Sequence, residues 1–194
     1  EICDLNEELL RLFMLGAVTR IFQPGYKFDM MLCLTGGQGA GKSSFFRFLA
    51  GNDEWFSDDL RKLDDENVYR RIMGHWIIEM SEMMATGNAK NVEEIKSFLS
   101  RQKDTYKVPY DKFPADRPRQ CVFAGTSNKL DFLPHDRSGN RRFLPIRIDP
   151  DKAEVHILAN QQTSRAYFNQ LWAEIMVIYR SGEYSLQLSK EASK

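Results

Sequence analysis

Met30-Met31-Leu32-Cys33-Leu34-Thr35-Gly36-Gly37-Gln38-Gly39-Ala40-Gly41-Lys42-Ser43 is the stretch whose reading decides the fold. Met30 to Leu34 is short and continuously apolar, which suits a strand covered on both faces in a parallel sheet. Gly36 to Ser43 fits G-x-x-x-x-G-K-[ST] at every fixed position. Glycines let a loop curl so that successive backbone N–H groups point inward at phosphate oxygens. A helix predicted from Lys42 to Ala50, with Phe45, Phe46, Phe48 and Leu49 as its packing residues, adds its positive N-terminal end. In this arrangement Lys42 reaches the β- and γ-phosphates of ATP and the Ser43 hydroxyl ligates Mg²⁺. Gly36, Gly37, Gln38, Gly39, Ala40, Gly41, Lys42, Ser43 and Ser44 are therefore the expected nucleotide contacts.

Working outward, Asp4 to Phe22 carries apolar residues at helical spacing (Leu5, Leu9, Leu12, Phe13, Ala17, Ile21), with Asp4 placed to cap it and Pro24-Gly25 to end it. Downstream, Gly51 to Arg71 is polar and acidic and reads as loop plus a short helix. Trp76 to Ile78, Cys121 to Ala124 and Phe143 to Ile148 are further buried strands; Tyr106 to Tyr110 is a strand or hairpin. Val92 to Leu99 is an amphipathic helix, and Ala153 to Arg180 is helical again, with Leu171, Ile175 and Ile178 on one face. Buried strands alternating with helices predict a three-layer α/β/α sandwich around a mostly parallel sheet. The expected layout is one domain over 1–194: a helix over 1–24, a core over 25–149 and a helical segment over 150–194. The opening at Glu1, directly on a helical pattern, suggests a domain of a longer chain.

The remaining chemistry follows the strands. Glu79 closes the second strand, where it can project toward the phosphate site and hold Mg²⁺; Glu82, three residues on, is the expected base or water-polarising group. Asn128 ends a burst of small polar residues after the third strand, placed to hydrogen-bond attacking water or the γ-phosphate. Arg141 and Arg142 follow a Ser-Gly-Asn turn and precede the fourth strand. An arginine of this kind neutralises charge on the γ-phosphoryl, often from a neighbouring subunit.

Composition excludes more than it assigns. Lys+Arg and Asp+Glu both number 27, so the formal net charge is zero and any DNA contact needs a local basic patch. Basic residues concentrate between Ile95 and Arg119, with Tyr106, Tyr110 and Phe113 interleaved. Lys96, Arg101, Lys103 and Lys107 are the candidate contacts to single-stranded DNA, although a solvated loop with core aromatics accounts for the same residues. Cys3, Cys33 and Cys121 lack the pairing of a disulfide framework or zinc site; Cys33 and Cys121 sit in apolar runs and read as free core thiols of a cytoplasmic protein. No apolar run approaches the roughly 20 residues that span a bilayer.

The ordered series of motifs resembles the virulence-associated protein E family, related to superfamily-three helicases within the AAA+ ATPases. It comprises Arg20 through Gly25, G-G-Q-G-A-G-K-S, W-I-I-E-M-S-E-M at Trp76 to Met83, I-K-S-F-L-S-R at Ile95 to Arg101 and D-T-Y-K-V-P-Y at Asp104 to Tyr110. G-T-S-N at Gly125 to Asn128, G-N-R-R-F at Gly139 to Phe143 and Q-L-W-A-E at Gln170 to Glu174 complete it. The resemblance implies a P-loop NTPase of phages or genomic islands, a DNA helicase or replication initiator that forms a ring, with six subunits expected, beside a primase-like part. It supports the roles given to Lys42, Ser43, Glu79, Glu82, Asn128 and the arginine pair, and implies a DNA-facing hairpin within Lys96 to Lys107. Two other readings compete. A small P-loop phosphotransferase would carry the same loop, but with an acceptor lid and arginines acting within one chain. A non-catalytic module would not need the intact Lys42, Ser43 and acids.

Overall fold

The computed structural model describes residues 2–60, 63, 68–81, 89–108, 110–129 and 140–189. Helix α1 (Ile2–Phe22) leads to β1 (Met31–Thr35), the glycine-rich loop and α2 (Lys42–Leu49). Then come β2 (Phe56–Ser57), α3 (Val68–Ile72), β3 (Ile77–Glu79) and α4 (Ala89–Leu99). A hairpin of β4 (Lys103–Tyr106) and β5 (Ala115–Pro118) precedes β6 (Val122–Ser127), β7 (Phe143–Arg147) and α5 (Gln161–Ser181).

Five strands form one sheet in the order β2-β3-β6-β1-β7, and every pairing in it is parallel. Alternation of side chains along each strand sends neighbours to opposite faces. Leu32 and Leu34 pack with Phe13, Phe46 and Ile175, so α1, α2 and α5 cover one face. Met31 and Cys33 pack with Ile72, Ile95 and Phe98, so α3 and α4 cover the other. The three-layer expectation is met, and its cause is visible in β1 and β6, whose residues are all buried. Strand β7 lies at the edge, which is where Pro145, lacking an N–H, is tolerated. Cys33 and Cys121 are buried free thiols, and burial pushes both thiol pKa values up.

The structure moves several boundaries. Helix α1 starts at Ile2, so Asp4 sits in its first turn and favours the helix dipole there instead of capping it. Helix α5 starts only at Gln161, where Asn160 Oδ1 accepts from the Thr163 N–H at 3.1 Å. The stretch before it is a 3₁₀ turn over Pro150–Lys152 and a loop that runs back over the glycine-rich loop. The hairpin strand is Lys103–Tyr106, not Tyr106–Tyr110, because pairing with Ala115–Pro118 sets its register. Tyr110 instead lies beyond the strand with φ 75.

Charged residues also hold the core. Arg20 is buried and donates to the carbonyls of Cys121 at 2.7 Å and Tyr26 at 3.2 Å; burial pulls its pKa down to about 10. Arg119 is buried too and makes a two-pronged pair with Asp104, Nε to Oδ2 at 2.6 Å and Nη2 to Oδ1 at 2.7 Å. Its Nη1 donates to the Phe98 carbonyl at 2.6 Å. Asp104→Ala leaves that guanidinium buried without its counter-charge and should cost about 3–5 kcal/mol. Urea unfolding checks this; a loss under about 1 kcal/mol would contradict the pair's structural role.

Candidate functional site

In an open parallel sheet, the carboxyl ends of the strands form the crevice in which ligands bind. Here β1 ends on the glycine-rich loop, β3 on Glu79 and β6 just before Asn128, so three separate sequence motifs converge on one edge. The loop borders a cleft of about 350 Å³ that Thr126 and Asn128 also line. A second cleft of about 360 Å³ shares Ser43 and Ser44 and continues past them toward Arg47 and Asp58.

Two glycines explain the loop's shape. Gly39 and Gly41 have φ of 81 and 77, the left-handed region that side chains disfavour. A Cβ on Gly41 would also lie 2.8 Å from Ile157 Cγ2, whereas nothing approaches one on Gly37 or Gly39. Gly41 caps α2 without a side-chain hydrogen bond, so the helix offers its first N–H groups to an anion.

Lys42 is folded into this cradle. Its Nζ donates to the carbonyls of Gly36 at 2.9 Å and Gly37 at 2.7 Å and to Asn128 Oδ1 at 2.9 Å. All three ammonium protons are therefore held by uncharged acceptors that phosphate oxygens can replace. Burial lowers the Lys42 pKa, and the Glu79 charge raises it in part.

Ser43 and Glu79 meet directly. Ser43 Oγ donates to Glu79 Oε1 at 2.8 Å, and Thr126 Oγ1 donates to the same oxygen at 2.5 Å. Burial raises the Glu79 pKa most; the Thr126 and Ser43 hydrogen bonds lower it, Asp58 raises it and Lys42 lowers it. Glu79 is fully buried, and its Oε2 has no hydrogen-bond partner among the described residues. A buried, unpartnered carboxylate oxygen is costly unless a cation answers it. A hydroxyl and a carboxylate in contact, one oxygen left over, are oxygen donors of the kind Mg²⁺ takes. The residues present thus fit Mg²⁺ and a polyphosphate. Among the described residues no group of three or more His, Cys, Asp or Glu side chains forms a further metal site.

The other expected residues divide. Glu82 lies outside the described residues. Arg141 and Arg142 stand just before β7, which pairs with β1 from Met31↔Phe143 onward. They are therefore at the end of the sheet opposite the glycine-rich loop, with the whole of β1, about 13 Å along its five residues, between them. Arg142 Nε is tied to Asp29 Oδ2 at 2.8 Å, whereas Arg141 is exposed.

The basic stretch needs correction. Lys96 is buried and its ammonium pairs with Glu93 at 2.8 Å, so it does not face DNA. Val92, Ile95, Lys96 and Leu99 share one helical face, and that spacing was the available signal. Arg101 stays at the surface, over the Phe98 ring and 3.4 Å from the Tyr69 hydroxyl. Lys103 is exposed but paired with Asp116 across the hairpin. Lys107 is exposed, and beyond it Tyr110 and Phe113 are 103% and 78% accessible, too exposed to be core aromatics. Thr126 was missed as a site residue, since only the pairing of β3 with β6 brings it onto Glu79.

The sequence profile of the virulence-associated protein E-like domain matches residues 2–194. The chain belongs to that family. Among curated proteins, none matches its sequence significantly. Of solved structures, this virulence-associated protein E-like domain is similar to the apo A form of the NrS-1 C-terminal region. The TM-score is 0.57 at 18% identity, covering 97% of this chain and 49% of that one. A second structure, NrS-1 residues 305–718, gives a TM-score of 0.53 at 18% identity over 88% of this chain and 43% of that one. The virulence-associated protein E-like domain thus spans about half of the solved chains it matches, and at this identity the likeness concerns the fold. No helix among the described residues is long and apolar enough to cross a membrane.

Proposed function

We propose that this domain is a P-loop ATPase of the AAA+ and superfamily-three helicase type, a ring motor on DNA in the replication of phages or mobile elements. The observation that carries this reading is the junction of Lys42 with Asn128 and of Ser43 with Glu79 at the carboxyl edge of one parallel sheet. The loop N–H groups and Lys42 bind the phosphates, and Ser43 and Glu79 hold Mg²⁺. Bound there, Mg²⁺ supplies charge neutralisation on the phosphate oxygens. Asn128, already hydrogen-bonded to Lys42, is placed to bind water or the γ-phosphate once the lysine turns to the nucleotide. Glu82 remains the proposed water-polarising acid.

Membership of the family whose resemblance implies replication supports that role. The work is cytoplasmic, and a primase-like domain or protein is the proposed partner. The remoteness of Arg141 from its own loop favours use by a neighbouring subunit, in a ring of six. It disfavours the phosphotransferase reading, which needs the arginines within one chain. Phosphate release, followed over a range of protein concentrations with and without single-stranded DNA, tests the motor reading. Turnover per chain should rise with concentration and with DNA. Phosphate transfer to a small acceptor at a concentration-independent rate would support the phosphotransferase instead.

The hairpin tip is the proposed DNA contact, through Lys107, Lys112, Tyr110 and Phe113. Aromatics stack on bases while the lysines meet phosphates. Each phosphate contact on a single strand contributes about 0.7 to the log–log salt slope. Lys107→Ala/Lys112→Ala should therefore lower that slope by about 1.4 and leave basal ATP turnover intact. Lys103→Ala should do less, because Asp116 already holds that charge. An unchanged slope in the double variant would make the tip a solvated loop.

A further inference from the structure

We propose that Thr126 is a positioning residue for Glu79, holding its carboxylate in place while Ser43 changes partners; this rests on the Mg²⁺–ATP reading above. Strands β3 and β6 run parallel with Glu79 opposite Ala124. Thr126 lies two residues beyond Ala124, on the same face and nearer the carboxyl edge, where its side chain overhangs Glu79. Both side chains are buried, at 6% and 0% exposure, so solvent does not compete for them.

Two hydroxyls donate to Glu79 Oε1, and among the described residues none donates to Oε2. That asymmetry fixes the rotation of the carboxylate and leaves one oxygen for a cation. The two donors are not equivalent. Ser43 is exposed and sits on the loop's helix, so its oxygen would be free to serve a bound cation instead of Glu79. Thr126 is held on a buried strand with its hydroxyl on Glu79. Once Ser43 leaves, Thr126 is the remaining described hydrogen bond on Oε1. Without it the carboxylate can rotate, and both its oxygens must be reoriented each time a cation binds. Residues that orient a metal ligand in this way contribute roughly 10–100-fold to metal affinity.

The test separates metal affinity from nucleotide affinity. Free Mn²⁺ is followed by electron paramagnetic resonance as it is titrated into the chain with ATP present, and ATP binding is measured separately in chelator. Thr126→Val, which keeps shape and removes the hydroxyl, should weaken Mn²⁺ binding about 10-fold or more while metal-free ATP affinity stays within about twofold. Thr126→Ser, which restores the donor, should return Mn²⁺ affinity to within about threefold of wild type. Thr126→Ala serves the same purpose as Val if the valine does not fold. Wild-type Mn²⁺ affinity in a folded Val or Ala variant overturns the proposal, as does a serine variant no better than the alanine. Failure of the ATP reading looks different: the wild-type chain itself would then bind no Mn²⁺ with ATP, and the role of Thr126 would fall with it.

Discussion

Lys42→Ala should lower phosphate release by at least roughly 10²–10³-fold, the usual effect of removing a group that stabilises developing charge. Lys42 is the buried cation of the loop, its Nζ within 2.9 Å of the Gly36 carbonyl, the Gly37 carbonyl and Asn128. Truncation removes the charge that would face the phosphates in the proposed site and also releases Asn128 from its partner. The fold should survive, because the lysine's contacts are to the rim of the loop and not to either apolar cluster. Steady-state phosphate release at saturating ATP, with circular dichroism as the control for folding, checks both halves. Wild-type turnover in the variant would end the ATPase assignment.

Arg141→Ala should be as damaging to an assembled ring, with a loss of roughly 10³-fold or more, the effect of removing an arginine that reaches a γ-phosphoryl from a neighbour. Arg142→Ala should be milder for turnover, since Arg142 is held by Asp29 of its own chain. The discriminating arrangement mixes two inactive proteins, Lys42→Ala and Arg141→Ala. Some interfaces in a mixed ring pair an intact loop with an intact arginine from next door, so turnover should return. If mixed rings form and none returns, Arg141 does not act between subunits.

How much of this was legible in the sequence depended on how local the cause was. The glycine-rich loop and β1 were plain, because the constraint on each residue lies within the motif: Lys42 follows Gly41 into a helix wherever the loop occurs. Glu79 and Asn128 were legible as the polar ends of apolar strands. Lys96 was misread because its charge outweighed its position; the face it shares with Val92, Ile95 and Leu99 buries it. Arg119 looked like part of a basic patch, but its partner Asp104 lies across the hairpin, 15 residues earlier. Strand β2, two residues at a sheet edge, has too little periodicity to register. Thr126 was invisible for a related reason: its meaning comes from strand pairing, and the identity of β3's neighbour is not written in either strand.

The proposed function needs residues 36–43 and Glu79 to form one site for Mg²⁺ and ATP. Calorimetric titration of ATP into the wild-type chain, with Mg²⁺ and then with chelator, tests it most directly when repeated for Lys42→Ala and Glu79→Gln. Wild type should bind ATP and bind it more tightly with Mg²⁺. Lys42→Ala should lose affinity under both conditions, and Glu79→Gln should lose only the gain from Mg²⁺. Absence of binding by the folded wild-type chain, or equal affinity in all three proteins, would contradict it.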